Sequence, residues 1–401
     1  MTPQCASYLP VMGISVPFAA LHACINGYYY GLQKSRVPAF SQVAEQVVRM
    51  TLVFLLTGFL SASGRPVTVH LAVAGHLIGE VAAAGFTLLS MAVFPPQGRC
   101  KKQPVPESRT PDGVLCCRPE DASPSALILP LLSLALPLMG NRLVLNLLAS
   151  AEAIWIPNRL QMSGLTGSDA FAVYGVLTGM ALPFILFPSA ITNTMAVLLL
   201  PSVARAQAEG NQKSIASCIA LSLRYSLYMG ILCIGIFVMF GDALGTSVFH
   251  NAQAGRFIRI LAWLCPFLYL STTTGSILNG LGRTRTTFLH NTAALLLRIG
   301  FVLAAIPRFG ILAYLWGMLA SELFLALLHL SSLRRLAAFS WNAWEMIVKP
   351  AALLLISTGI HLFVKSLFSF SGILPVFLDS ALQIGFISLC YGFLLFLFHK
   401  E

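Results

Sequence analysis

Eleven stretches of predominantly apolar residues punctuate the chain, at 9–30, 38–60, 68–94, 127–157, 171–200, 217–240, 257–280, 288–306, 311–333, 347–366 and 376–398. About 20 helical residues cross a hydrocarbon core of about 30 Å, so each stretch predicts a membrane-spanning helix. Long unbroken runs exclude a transmembrane β-barrel, whose strands are short and alternate polar with apolar residues. The fold class expected is an all-α polytopic membrane protein. Most connections are short, so neighbouring spans form antiparallel hairpins. The long polar stretch 95–125 carries seven prolines beside mixed charge and predicts a cytoplasmic linker between two lobes. Pro137 is expected to break span 127–157, and Pro183 and Pro188 to break 171–200. Such breaks are either simple kinks or pointers to a transport path.

The chain repeats itself. Pro17-Phe18 returns as Pro266-Phe267, Gly31-Leu32 as Gly280-Leu281, Arg36 as Arg285, Arg49 as Arg298 and Val53 as Val302, all at an offset of 249. After a shorter loop the match resumes at an offset of 242, with Gly75 as Gly317 and Glu80 as Glu322. Six spans separate the copies, so both run in the same direction, as parallel repeats about an axis along the membrane normal. This divides the chain into 1–94 (three spans), the linker 95–125, a six-span lobe at 126–345 and two further spans at 346–401. Such repeats predict a central cleft that opens alternately to each side as the lobes rock. The second copy is preceded by three spans that have no counterpart before the first. A complete relative is therefore expected to carry about 120 more residues and fourteen spans, counted from the two offsets.

Composition agrees with this reading. Hydrophobic residues make up 57% of the chain and charged residues 10%, against roughly 25% charged in soluble domains. The net charge is +11. Lys34, Arg36, Arg99, Lys101, Lys102, Arg109, Arg118, Arg205, Lys213, Arg283, Arg285, Arg334, Arg335, Lys349 and Lys400 fall in alternate loops, and these are 15 of the 25 basic residues. Cytoplasmic loops collect such residues, so the positive charge marks topology, not nucleic-acid binding. The C-terminus is placed inside and Met1 outside. Cys24, Cys218, Cys233, Cys265 and Cys390 lie in spans as small apolar residues. Cys100, Cys116 and Cys117 lack the spacing of a metal site.

No Walker, HExxH or GxGxxG sequence is present, so neither an enzyme centre nor a cofactor or metal site is expected. His22, His76 and His361 read as packed or interfacial. The informative residues are charges within spans: Arg49, Arg142 and Arg298 near span centres, Arg224 about a third of the way in, and Glu80 and Glu322 at centres. An arginine at bilayer depth costs roughly 2.5–3.5 kcal/mol on insertion scales unless it meets water, protein partners or an anion. A planar guanidinium suits phosphate oxygens, so an internal cavity for a pyrophosphate-linked lipid is expected. A second reading stays open, in which Arg49 with Glu80, and Arg298 with Glu322, are ion pairs or coupling groups within each lobe. Arg142, with Asn141, Asn146 and Glu152, is expected to line the cavity from one face of its span. Lys34, Arg36, Arg283 and Arg285 at helix ends mark topology and headgroup contact, or a cytoplasmic gate for an anionic lipid.

The stretches ALPLMGNRLVLNLLASAEAIWIPNRLQ (135–161), YGVLTGMALPFILFPSAITNTMAVLLLP (174–201), ILNGLGRTRTTF (277–288), FGILAYLWGMLASEL (309–323) and INGYYYGLQKSRVPAFSQVAEQVVR (25–49) resemble the stage V sporulation protein B family. That family belongs to the multidrug/oligosaccharidyl-lipid/polysaccharide (MOP) exporter superfamily. The resemblance implies a fourteen-span, two-lobed transporter in a plasma membrane, translocating a lipid-linked oligosaccharide or peptidoglycan precursor for the spore cortex. It also implies that cavity arginines hold the pyrophosphate. Arg142 matches that role most closely by motif position, ahead of Arg49 and Arg298. The partners implied are the lipid-linked sugar and membrane lipids, with an unidentified coupling ion. The alternatives are a multidrug or cation antiporter of the same superfamily, in which Glu152 would hold the cation, and an inactive truncated remnant.

Overall fold

A computed structural model describes residues 8–31, 36–64, 69–93, 124–337, 339, 342–367 and 376–398. Lys34, Cys100, Cys116, Cys117 and almost all of the expected linker 95–125 lie outside these. Among the described residues every regular element is helical. Among the described residues ten helices are long and apolar enough to cross a membrane by length and composition. They correspond to nine of the eleven predicted spans and to the first half of 171–200, and the remaining one, 127–157, lies inside a 39-residue helix. The chain divides into two compact units, Met1–Cys116 and Cys117–Glu401.

The first unit holds α1 (Leu9–Gly31), α2 (Arg36–Ala62) and α3 (Val69–Val93). Helix α3 packs against both others, while α1 and α2 barely touch. The approach of α3 to α2 depends on Gly75, where an added Cβ would stand 2.5 Å from Val53 Cγ2. Small residues let membrane helices close in this way.

The second unit begins with α4 (Pro124–Met162). This helix runs through Pro137, where the sequence predicted a break. A proline removes one backbone hydrogen bond and can kink a helix without ending it. Next, α5 (Gly167–Leu186) is capped by Thr166, whose Oγ1 accepts from Asp169 N at 3.3 Å. It passes through a wider π turn at Leu177–Ala181 just ahead of Pro183. A turn at Phe187-Pro188 then opens α6 (Ser189–Ala208). The expected interruption of 171–200 is therefore real, and it yields two helices that extend past both predicted ends.

Helix α7 (Gln212–Phe249) has 38 residues, which at 1.5 Å per residue is about 57 Å and well beyond the hydrocarbon core. It is the post around which the unit packs, touching α6, α8 (Ala252–Leu261) and α9 (Cys265–Gly280), and also α12 (Lys349–Leu367) and α13 (Val376–Phe398). Tyr391 on α13 donates its hydroxyl to the Tyr228 carbonyl on α7 at 3.2 Å. Between α9 and α12 lie α10 (Thr284–Ala304) and α11 (Ile311–Leu336).

The repeat seen in the sequence is repeated in packing. Helix α11 packs heavily on α9 and α10, which touch each other little, as α3 does on α1 and α2. Gly317, the counterpart of Gly75, brings α11 against α10, and an added Cβ there would stand 2.7 Å from Phe301 Cβ.

Candidate functional site

The second unit buries an ion pair at its centre. Glu152 on α4 is 3% exposed and faces α10, where Arg298 pairs with it through one hydrogen bond and a second close approach. Nη2 donates to Oε2 at 2.8 Å and Nε stands 2.7 Å from Oε1. The partners are 146 residues apart and meet because α4 packs along α10. Tyr174 on α5 and Tyr314 on α11 lie within electrostatic reach of the pair.

Beside it, Glu322 on α11 accepts a hydrogen bond from Ser271 Oγ on α9 at 3.0 Å. These two residues open onto a groove of about 340 Å³ walled by α9, α10 and α11. Ser271, Gly275 and Asn279 line it from α9, Thr287 and Asn291 from α10, and Glu322, Leu325 and His329 from α11. The His329 ring nitrogen Nδ1 lies 3.2 Å from the Ser271 carbonyl, and its ring stacks near His290 with centroids 5.2 Å apart. No arginine lines this groove among the described residues. The sequence reading passed over it, although the signal was present. Positions 271, 275 and 279, and 287 and 291, are four apart, which places small and polar residues on one helical face.

In the first unit, Arg49 pairs with Glu45 one turn earlier on α2. Glu80 on α3 faces His22 on α1, with Oε2 at 3.9 Å from Nδ1. The repeat matches His22 with Ser271 (22 + 249 = 271). In both repeats, then, the glutamate of the third helix faces the same position of the first helix. The two ion pairs suggested by the repeat, Arg49 with Glu80 and Arg298 with Glu322, are corrected: among the described residues neither couple is within ion-pair distance. Each arginine has found a different carboxylate, Glu45 in one unit and Glu152 in the other, because those lie on the side its own helix turns toward it.

Arg224, half-buried on α7, stands 3.6 Å from Glu345. Three of the four candidate arginines are therefore neutralised within their own unit. Arg142 is the exception. It is exposed on α4 in the isolated chain and has no ion-pair partner among the described residues, and Asn146 beside it is exposed as well. Asn141 is half-buried. The stretch 141–152 does not form a single polar face as expected. At 100° per residue, Glu152 points about 120° away from Asn146, which turns Glu152 inward while Arg142 and Asn146 share an outward face. Arg36, Arg283 and Arg285 are exposed at the ends of α2 and α10. His361 binds Gln383 at 3.2 Å, a packed role as expected.

The fold defines a class: an all-helical, multi-pass membrane protein. Solved structures that share this fold include two membrane transporters. The lipid II flippase MurJ in its inward closed conformation matches with a TM-score of 0.65 at 14% identity, over 98% of this chain and 74% of that one. A MATE structure in a bent conformation matches with a TM-score of 0.59 at 14% identity, over 82% and 67%. At such identity the likeness concerns the fold. In sequence, the chain is a homologue of stage V sporulation protein B of Bacillus subtilis (strain 168), 25% identical over 353 residues. The match takes in 86% of this chain and 65% of that protein. Sporulation protein YkvU of the same organism is 21% identical over 80% of this chain and 69% of its own length. No family model matches.

Proposed function

We propose that the protein is a transporter that flips a lipid-linked oligosaccharide or peptidoglycan precursor across the plasma membrane by alternating access. Transport, not catalysis, is the activity proposed, and spore cortex synthesis is the setting that the relatives' names suggest. The observation that carries the reading is Arg142, an unneutralised guanidinium exposed within an apolar helix. A pyrophosphate-linked lipid would satisfy it, since the head needs charge and the tail can remain in the bilayer. Asn141 and Asn146 add neutral donors on the same helix. Arg298 and Arg49 would join only by exchanging Glu152 or Glu45 for phosphate oxygens, and Arg224 by releasing Glu345. Glu80, which faces His22, and Glu322, which accepts from Ser271, are the proposed coupling groups. Arg36, Arg283 and Arg285, with Lys34, would gather anionic headgroups at the cytoplasmic face, where the C-terminus is also proposed to lie.

The test is binding of a polyprenyl-pyrophosphate sugar to the purified protein. Arg142→Ala removes hydrogen bonds to a charged group worth about 1.5–3 kcal/mol, so affinity should fall roughly tenfold to a hundredfold. Arg142→Lys should recover part of it, because a lysine cannot grip two oxygens in one plane.

A second reading, a cation antiporter, is favoured by one feature: the groove in the second unit holds Glu322, two histidines nearby and no arginine. It predicts that an organic cation binds the parent protein and that Glu322→Gln abolishes this binding while leaving the pyrophosphate lipid's affinity unchanged.

A further inference from the structure

We propose that the first unit contains a site for a divalent transition-metal ion, built from His22, Glu45 and Glu80. Each residue comes from a different helix, and one ligand atom from each lies within 4.8 Å of the others. Tetrahedral coordination with bonds near 2.0 Å spaces ligand atoms about 3.3 Å apart. Side-chain adjustments of about 1 Å would therefore close the triad around an ion. His22 and Glu80 sit near the middle of their helices and Glu45 about a third of the way along α2, where unpaired charge is costly.

The hydrogen bonds around His22 suit a ligating histidine. Ser41 is fully buried, and its Oγ donates to the Pro38 carbonyl at 2.8 Å. Asn26 Oδ1 is a second carbonyl acceptor 3.3 Å from the same Oγ, and a hydroxyl that donates to either carbonyl leaves its oxygen to accept from His22 Nε2, which is 3.1 Å away. In that arrangement the neutral ring turns the Nδ1 lone pair toward Glu80 Oε2, at 3.9 Å. A divalent ion between Nδ1 and Oε2 would satisfy both atoms, in place of a second ring proton. A ligating histidine that gives its other N–H to an oxygen outside the coordination shell is the arrangement metal sites favour. One imidazole nitrogen with two carboxylates suits zinc, manganese or iron as divalent ions.

Charge supports the same conclusion. Glu45 and Glu80 carry two negative charges against the one positive charge of Arg49, which binds Glu45. Arg49 is long and a quarter exposed, so it can turn away when a divalent ion takes Glu45, leaving a neutral triad. The second unit supplies an internal control. The positions matching His22, Glu45 and Glu80 hold Ser271, Ala294 and Glu322, so two of the three ligands are missing and one site per chain is expected.

The experiment is metal titration of the purified full chain in detergent, with Zn²⁺ followed by calorimetry and Co²⁺ by its visible absorption. We expect one equivalent per chain and a Co²⁺ spectrum of low-symmetry nitrogen and oxygen coordination. His22→Ala and Glu80→Gln should each weaken binding at least tenfold, Arg49→Gln should tighten it, and Glu322→Gln should leave it unchanged. The Co²⁺ spectrum of the parent protein tests the site even if a variant fails to fold. Absence of that spectrum, or stoichiometric binding that survives His22→Ala and Glu80→Gln, would overturn the proposal. So would binding that Arg49→Gln leaves unaltered, since it would remove Glu45 from the ligand set.

Discussion

At the scale of single residues, the Glu152–Arg298 pair shows what a sequence of this kind can and cannot disclose. That charged residues inside apolar spans have a purpose was legible, because their burial is costly wherever they point. Their partners were not. A glutamate one turn away on the same helix and a glutamate 146 residues away are equally silent in the sequence, and helix rotation and packing decide between them. The pair also makes a sharp prediction. Removing one member of a buried ion pair leaves an uncompensated charge and costs about 3–5 kcal/mol. Glu152→Gln and Arg298→Gln should each destabilise the protein by about that amount in detergent unfolding, and the double variant should be more stable than either single one. If the single variants unfold like the parent, the pair does not hold α4 to α10.

At the scale of elements, the repeat was visible in both arginines and both glycines, and the structure supplies the mechanical reason for the glycines. Gly75 and Gly317 mark the points where the third helix of each repeat presses against the second. Alanine at either position must push the helices apart or force off-rotamer neighbours, at about 1–3 kcal/mol. Gly300→Ala, where an added Cβ meets nothing within 4 Å, should be neutral or slightly stabilising because alanine favours helix. Thermal melts of the three variants check this, and equal melting temperatures would deny the close-packing account. Proline was a less faithful guide. Pro183 and Pro188 stand at a real π turn and a real helix break, whereas Pro137 lies within a helix that continues. The same residue type kinks or interrupts according to what the surrounding helices can satisfy.

At the scale of the whole molecule, the apolar pattern prescribed the all-helical membrane fold almost completely, since the bilayer leaves few other solutions. The asymmetric placement of lysine and arginine adds an orientation. It predicts that a cysteine at Ser163, next to Arg159, is labelled by an impermeant thiol reagent added outside intact cells, and that one at Glu209, next to Arg205 and Lys213, is labelled only after permeabilisation. The reverse pattern would invert the topology. The polar groove of α9, α10 and α11 was not legible as a unit, because its walls come from three helices whose facing could only be known once they were packed.

Arg142, exposed within an apolar helix, is the residue proposed to recognise the pyrophosphate head of a lipid-linked sugar. The most direct measurement is the dissociation constant of a polyprenyl-pyrophosphate sugar for the parent protein and for Arg142→Ala, under identical detergent and salt. The account predicts saturable binding to the parent and at least tenfold weaker binding to the variant. Equal affinity for both, in well-folded protein, would contradict it.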